Sequence, residues 1–227
     1  MILVSVIVPC FNEPQARLDA TIKAAILAGA DDIVVVDDGS EIPVVVSAPP
    51  CVSLCRKEHG GIASALNLGV RRARHERIAP CAVGDYFLVN GLTAHMDIAG
   101  PSFGSWQDAL TGEINHPRKD WHRQIVHDNQ FSMGTAMFSI QEYYSVGGFD
   151  ETLVHSVDWS FALRISEHVG WTMIDDVLMV GAEYPGGHTA RANAERRALD
   201  NAIVSRMARR YDLDRRIGKS HRMAVSA

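Results

Sequence analysis

Nowhere in the 227 residues is there a run of about 18 apolar side chains, so no segment reads as a helix able to cross a bilayer. Cysteine is scarce: Cys10, Cys51, Cys55 and Cys81 have neither the density of a disulfide scaffold nor the CxxC pairing of a zinc site. Free thiols in a reducing cytoplasm are therefore expected. An excess of positive charge is missing too, since the formal net charge is −5, and with it any general reason to expect nucleic-acid affinity. The apolar start, Ile2 to Val8, has no basic residue before it and runs into Pro9-Cys10-Phe11-Asn12 instead of a small-residue cleavage site, so it does not read as a signal peptide. What remains, 47% hydrophobic and 22% charged, matches an ordinary globular protein able to bury a sizeable core in one compact domain.

The charge that is present is unevenly placed. Residues 191–227 hold ten Lys/Arg against four Asp/Glu, whereas residues 1–190 hold 12 against 23. The chain thus divides into an acidic domain, 1–190, and a basic C-terminal helix and tail, 191–227. That arm is either a solvated helix face or a surface for an anionic partner such as lipid, nucleic acid or a charged acceptor.

Two runs rich in β-branched residues, Ile2 to Val8 and Ile33 to Val36, suit parallel strands buried on both faces. Leu18, Ile22, Ala25 and Ile26 recur between them at helical spacing, and Gly29 supplies a stop. Strand, helix and strand in this order form a βαβ unit, whose ligands sit at the carboxyl ends of the strands. A second helix is predicted over Gly61 to Arg74 and a strand over Arg77 to Val83, with Pro80 counting against it. Residues 89–130 are broken by glycine and proline and read as an irregular stretch that shapes a pocket or lid. There Trp106 and Trp121 could stack on a sugar or anchor packing. A strand over Gln130 to Ile140, helices near Gln141 to Val146 and over Val157 to His168, and a strand over Trp171 to Tyr184 follow. The last predicted helix, Ala192 to Tyr211, carries Leu199, Ile203, Met207 and Tyr211 on one face.

Asp37-Asp38-Gly39-Ser40 closes the second strand. Adjacent carboxylates there are costly unless a ligand, metal or donor uses them, although a turn or helix cap is the plain alternative. Asn12 and Glu13, at the neighbouring strand end, can reach a base or ribose in the same crevice.

At these motifs the sequence resembles the family-2 type of GT-A glycosyltransferases. The resemblance is carried by Val4-Ser5-Val6-Ile7-Val8-Pro9-Cys10-Phe11-Asn12-Glu13, by Val34-Val35-Val36-Asp37-Asp38-Gly39-Ser40, by Gly60-Gly61-Ile62-Ala63-Ser64-Ala65-Leu66-Asn67-Leu68-Gly69, and by Val146-Gly147-Gly148-Phe149-Asp150-Glu151 followed by Asp158-Trp159 and Arg164. It implies a GT-A-like α/β domain with a mixed, mainly parallel sheet flanked by helices, transferring a sugar from a nucleotide-diphosphate donor, uridine-based by family habit, with inversion. It further implies that Pro9, Asn12, Glu13 and Asp38 hold the nucleoside, that Arg56 and Asn67 lie near that crevice, with a surface position the alternative for Arg56, and that Asp158 is the general base, with helix capping as its structural alternative.

One departure stands out. The family's Asp-x-Asp metal motif aligns with Ala82-Val83-Gly84-Asp85, so only Asp85 remains. Asp85 could still hold a divalent cation, Mn or Mg, together with His188 after Tyr184-Pro185-Gly186-Gly187. Alternatively, Arg191 or Arg123 could replace the metal on the diphosphate, or the site is dead. The last case corresponds to the other functional reading, a non-catalytic nucleotide-sugar-binding protein. A nucleotidyltransferase is a weaker rival, because no glycine-rich phosphate loop with a following Arg or Lys sits near the first strand. The acceptor has no motif in the sequence.

Overall fold

The computed structural model describes residues 2–47, 49–129, 132–181 and 193–210. In chain order the elements are β1 (Ile2–Cys10), α1 (Gln15–Leu27), β2 (Ala30–Asp37), β3 (Val52–Arg56), α2 (Ile62–Arg72), β4 (Arg77–Pro80), β5 (Tyr86–Phe87), β6 (Ser102–Asp108), β7 (Ile114–Asn115), α3 (Trp121–Gln124), β8 (Phe138–Ser139), α4 (Ile140–Ser145), α5 (Val157–His168), β9 (Thr172–Gly181) and α6 (Ala194–Arg210).

The main sheet has the order β3-β2-β1-β4-β8, parallel except for β8. Period-two alternation on its central strands divides the core. Val4, Val6 and Val8 of β1, with Ile33 and Val35 of β2, pack with Leu18, Ile22 and Ala25 of α1. Ile7, Val34 and Val36 face the opposite way, into the cluster that contains Ala63, Leu66 and Val70 of α2. Each fully buried Val or Ile contributes roughly 1.5–3 kcal/mol of transfer free energy. Helix α2 lies so close to the sheet that a methyl group at Gly69 would overlap Ile7 Cγ2.

Strand β4 stops at Pro80, earlier than the predicted Val83. Cys81 N–H donates to Ile7 O at 2.9 Å, so the neighbouring Pro80 nitrogen faces the other side. That side lies beyond the last rung with β8, Ile78 opposite Phe138, and no ladder bond is lost to the proline. The segment predicted as irregular contains a true strand: β6 runs parallel to β9 in a second sheet ordered β5-β9-β6-β7. Phe103 of β6 is fully buried and meets Trp121 and Trp171 edge-on, with ring centroids 5.1 and 6.1 Å apart, which makes Trp121 a packing anchor. The strand predicted over Gln130 to Ile140 is instead a 3-10 turn, Met133–Thr135, and the two-residue β8; Gln130 and Phe131 lie outside the described residues.

Helix α6 buries a different face from the one predicted. Asp200, Val204 and Ala208 are fully or nearly fully buried, while Leu199 is half exposed; Tyr211 is outside the described residues. The carboxylate holds a core position because Val154 N–H (3.0 Å), His155 N–H (2.8 Å) and Arg196 Nε (2.9 Å) all donate to it. Val204 and Ala208 share one hydrophobic cluster with Phe161 and Ile165 of α5, so α6 is built into the core.

Candidate active site

Parallel pairing brings the ends of β1, β2 and β3 to one rim. Asn12, in the left-handed conformation with φ 53°, follows β1 there. Its N–H donates to Ser40 Oγ at 2.9 Å, and its Oδ1 accepts from Glu41 N–H at 2.8 Å. Asp37 accepts from Ser40 N–H at 2.9 Å and from Arg56 Nη1 at 2.5 Å, while Arg56 Nη2 donates to Ser40 O at 2.7 Å. Burial pushes the Asp37 carboxyl up, but the donors from Ser40, Arg56 and Val44 outweigh it and hold the group below its ordinary range.

Asp38 reaches across to the turn before α2. Its carboxylate accepts from Lys57 Nζ (2.7 Å), Gly60 N–H (3.0 Å) and Gly61 N–H (2.8 Å), and His59 Nδ1 lies 2.9 Å away. It thereby fixes the turn that leads into α2 at Ile62. The His59 ring stacks on Phe11 with centroids 4.0 Å apart. Pro9, Asn12, Glu13, Asp38 and Arg56 thus lie at one edge of the sheet.

Asn67 is used elsewhere. It is buried on α2, where Oδ1 accepts from Tyr143 Oη (2.7 Å) and Phe149 N–H (2.9 Å) and Nδ2 donates to Phe149 O (2.9 Å) and Glu151 Oε1 (2.7 Å). These four bonds fill the amide's capacity and tie α2 to the 147–151 turn, so Asn67 is a strut behind the crevice and not a group facing it.

Asp85 sits in the turn beyond β4, on the same edge of the sheet, its N–H bonded to Ala82 O at 3.0 Å. Its carboxyl presses against Gly134 and Gly181; a methyl group at Gly181 would overlap Oδ1. Burial raises its pKa to about 7, against the opposing influence of the Arg17 guanidinium. Among the described residues no three His, Cys, Asp or Glu side chains cluster as a metal site. A magnesium-type cation needs only one or two protein carboxylates when substrate phosphates complete its shell. A buried carboxylate whose charge is poorly compensated fits that minimal role. His188 and Arg191 lie outside the described residues.

Asp158 occupies the first turn of α5, after Ser156, which is left-handed with φ 56°. Its Oδ1 accepts from Trp159 N–H at 2.8 Å and its Oδ2 from Asn129 Nδ2 at 2.7 Å. Burial raises its pKa above the ordinary 3.8, and these hydrogen bonds pull in the opposite direction. The result is a carboxyl fixed in orientation and more basic than a solvated aspartate. Arg164 secures the region from behind, donating from Nη1 to Val146 O and Gly148 O.

Known proteins share this fold. The family described as glycosyl transferase family 2 matches residues 5–86, the stretch that holds the rim formed by β1, β2 and β3 and ends just past Asp85. That match is confined to residues 5–86, and the fold around them is of the GT-A type. The GT-A chain superposes on S. aureus TarS 1–349 in complex with UDP-GlcNAc with a TM-score of 0.72 and 14% identity, covering 96% of this chain and 71% of that one. It also superposes on the mannosyltransferase PcManGT from Pyrobaculum calidifontis, in complex with GDP-Man and Mn2+, with a TM-score of 0.66 and 22% identity, covering 92% of this chain and 64% of that one. No curated protein sequence matches the chain. No described helix is long and apolar enough to cross a membrane.

Lys57, His59 and Asn129 were not singled out in the sequence. Lys57 and His59 could have been found from their place between β3 and the Gly60-Gly61 turn. Asn129 carries no local signal, because its partner is 29 residues away.

Proposed function

We propose that the chain is an inverting glycosyltransferase that moves a sugar from a nucleotide-diphosphate donor, uridine-based, to an acceptor hydroxyl. The observation that carries this reading is Asp158: a carboxyl at the start of α5, held on both oxygens and made more basic by burial. In the proposed step the acceptor oxygen attacks the anomeric carbon, the bond from that carbon to the diphosphate oxygen breaks on the opposite face, and Asp158 takes the hydroxyl proton. Pro9, Asn12, Glu13 and Arg56 hold the nucleoside at the rim, while Asp38 shapes that rim through the 57–61 turn. Asp85 and His188 would hold a divalent cation, Mn or Mg, with the diphosphate, and that cation would offset charge on the leaving group.

The cytoplasmic setting belongs to this proposal and is supported by four unpaired cysteines. An anionic partner for the basic arm belongs to it as well, supported by Arg197, Arg206 and Arg209 standing exposed on α6. The test is Asp158→Asn. Transfer, followed as UDP release from UDP-GlcNAc, is expected to be abolished while calorimetric UDP binding stays near the wild-type value. Retained turnover in this variant refutes the assignment.

A further inference from the structure

We infer that Asn129 is a positioning residue for the base, an inference that rests on the assignment of Asp158 proposed above. Its Nδ2 donates to Asp158 Oδ2 at 2.7 Å. Because an ionised carboxylate only accepts, the amide nitrogen has to face Asp158, and this places the carbonyl Oδ1 on the far side. There Oδ1 is shut off from solvent without a hydrogen-bond partner. Buried polar atoms are rarely left bare. The side chain has therefore taken the orientation that serves Asp158 and leaves its own carbonyl unsatisfied.

The loop that delivers Asn129 is fastened to the same helix by the residue next to the base. Trp159 Nε1 donates to Ile125 O at 2.5 Å, and both Trp159 and Ile125 are buried. Between these anchors, His127 and Asp128 N–H both close on Gln124 O, and Asn129 N–H closes on Asp128 Oδ1 at 2.8 Å. With Trp159 N–H on one oxygen and Asn129 on the other, the plane of the Asp158 carboxyl is set. The groups that act on it besides burial are these uncharged donors. A donor to a carboxylate favours its ionised form, so Asn129 keeps the base ready while burial raises its basicity.

The test follows UDP release from UDP-GlcNAc, with water as acceptor, across the acidic and neutral range for the full chain and its Asn129→Leu, Asn129→Asp and Asp158→Asn variants. Calorimetric UDP binding reports folding and donor affinity in each. Asn129→Leu is expected to move the acid limb of the profile to higher pH with UDP affinity unchanged. Asn129→Asp, close in size to the original, is expected to move it further, because two adjacent carboxyls share a proton. The same shift is read without turnover by carbon-13 titration of the Asp158 carboxyl, assigned by its disappearance in Asp158→Asn. An unmoved limb and an unmoved carboxyl titration in both Asn129 variants, with Asp158→Asn inactive, overturn the role of Asn129 alone. Wild-type turnover in Asp158→Asn overturns the base assignment and this inference with it.

Discussion

Replacing Asp200 by alanine removes the buried carboxylate by which α6 holds the segment leading into α5. Two backbone donors, Val154 N–H and His155 N–H, lose a charged acceptor at 3.0 and 2.8 Å. Hydrogen bonds to charged groups are worth about 1.5–3 kcal/mol each. Arg196 loses its partner as well, but its side chain is 40% exposed, so this pair adds less than about 1 kcal/mol. Breaking a buried network from one side costs about 3–5 kcal/mol, consistent with that sum. For a chain of this length each kcal/mol moves the thermal midpoint by roughly 2–4 °C, which gives a drop of roughly 6–20 °C. Thermal unfolding followed by circular dichroism measures it. Arg196→Met is the companion variant: it leaves the buried carboxylate with its two backbone donors alone and removes the Arg196 bond to Thr152 O, so it too should lower the midpoint. A midpoint for Asp200→Ala within about 2 °C of the wild type would show that the carboxylate is not the brace, and that the apolar contacts of Val204 and Ala208 hold α6 unaided.

Two further outcomes are expected. Asp85 has a folded pKa of about 7 against 3.8 for the free side chain, so the folded state binds its proton more tightly than the unfolded state does. Its favourable contribution is fully present below about pH 4 and is lost as pH rises through about 7. In metal-free buffer Asp85→Asn should therefore unfold at a higher temperature than the wild type above neutrality, with the gap closing toward pH 4; the same variant should lose any manganese dependence of UDP binding. Gly69→Ala places a methyl group onto Ile7 Cγ2 and should cost about 1–3 kcal/mol in urea unfolding, since a helix packed this close to β1 has no room to yield.

The elements legible in the sequence were those whose burial follows one period. Strands β1 and β2 are apolar on both faces, and α1, α2 and α5 repeat apolar residues at helical spacing, so residues such as Ile7, Val34 and Leu66 announced their environments. Strand β6 did not, because Ser102, Gly104 and Ser105 fill its interior positions with small residues and leave Phe103 alone to signal burial. The buried face of α6 was misassigned for a related reason: hydropathy ranks Leu199 above Asp200, and only the donors on residues 154 and 155 reverse that order. At the site, the motifs brought Asn12, Asp38 and Arg56 to one edge, but not the use each side chain finds there. Asn67 stood within a recognisable motif, yet its four partners include residues 82 and 84 positions away. The spacing of Asn129 and Asp158 likewise becomes meaningful only once the chain has folded.

The turn before α2 also sorts ligand chemistry. The N-terminal amides of a helix are ordinarily a place for phosphate to settle. In this protein the amides of Gly60 and Gly61, which immediately precede α2, are taken by Asp38. Asp37 and Asp38 are in turn each paired with a cation, Arg56 and Lys57, so neither carboxylate is uncompensated. An anion arriving at this turn would have to displace Asp38 before it could use those two amides.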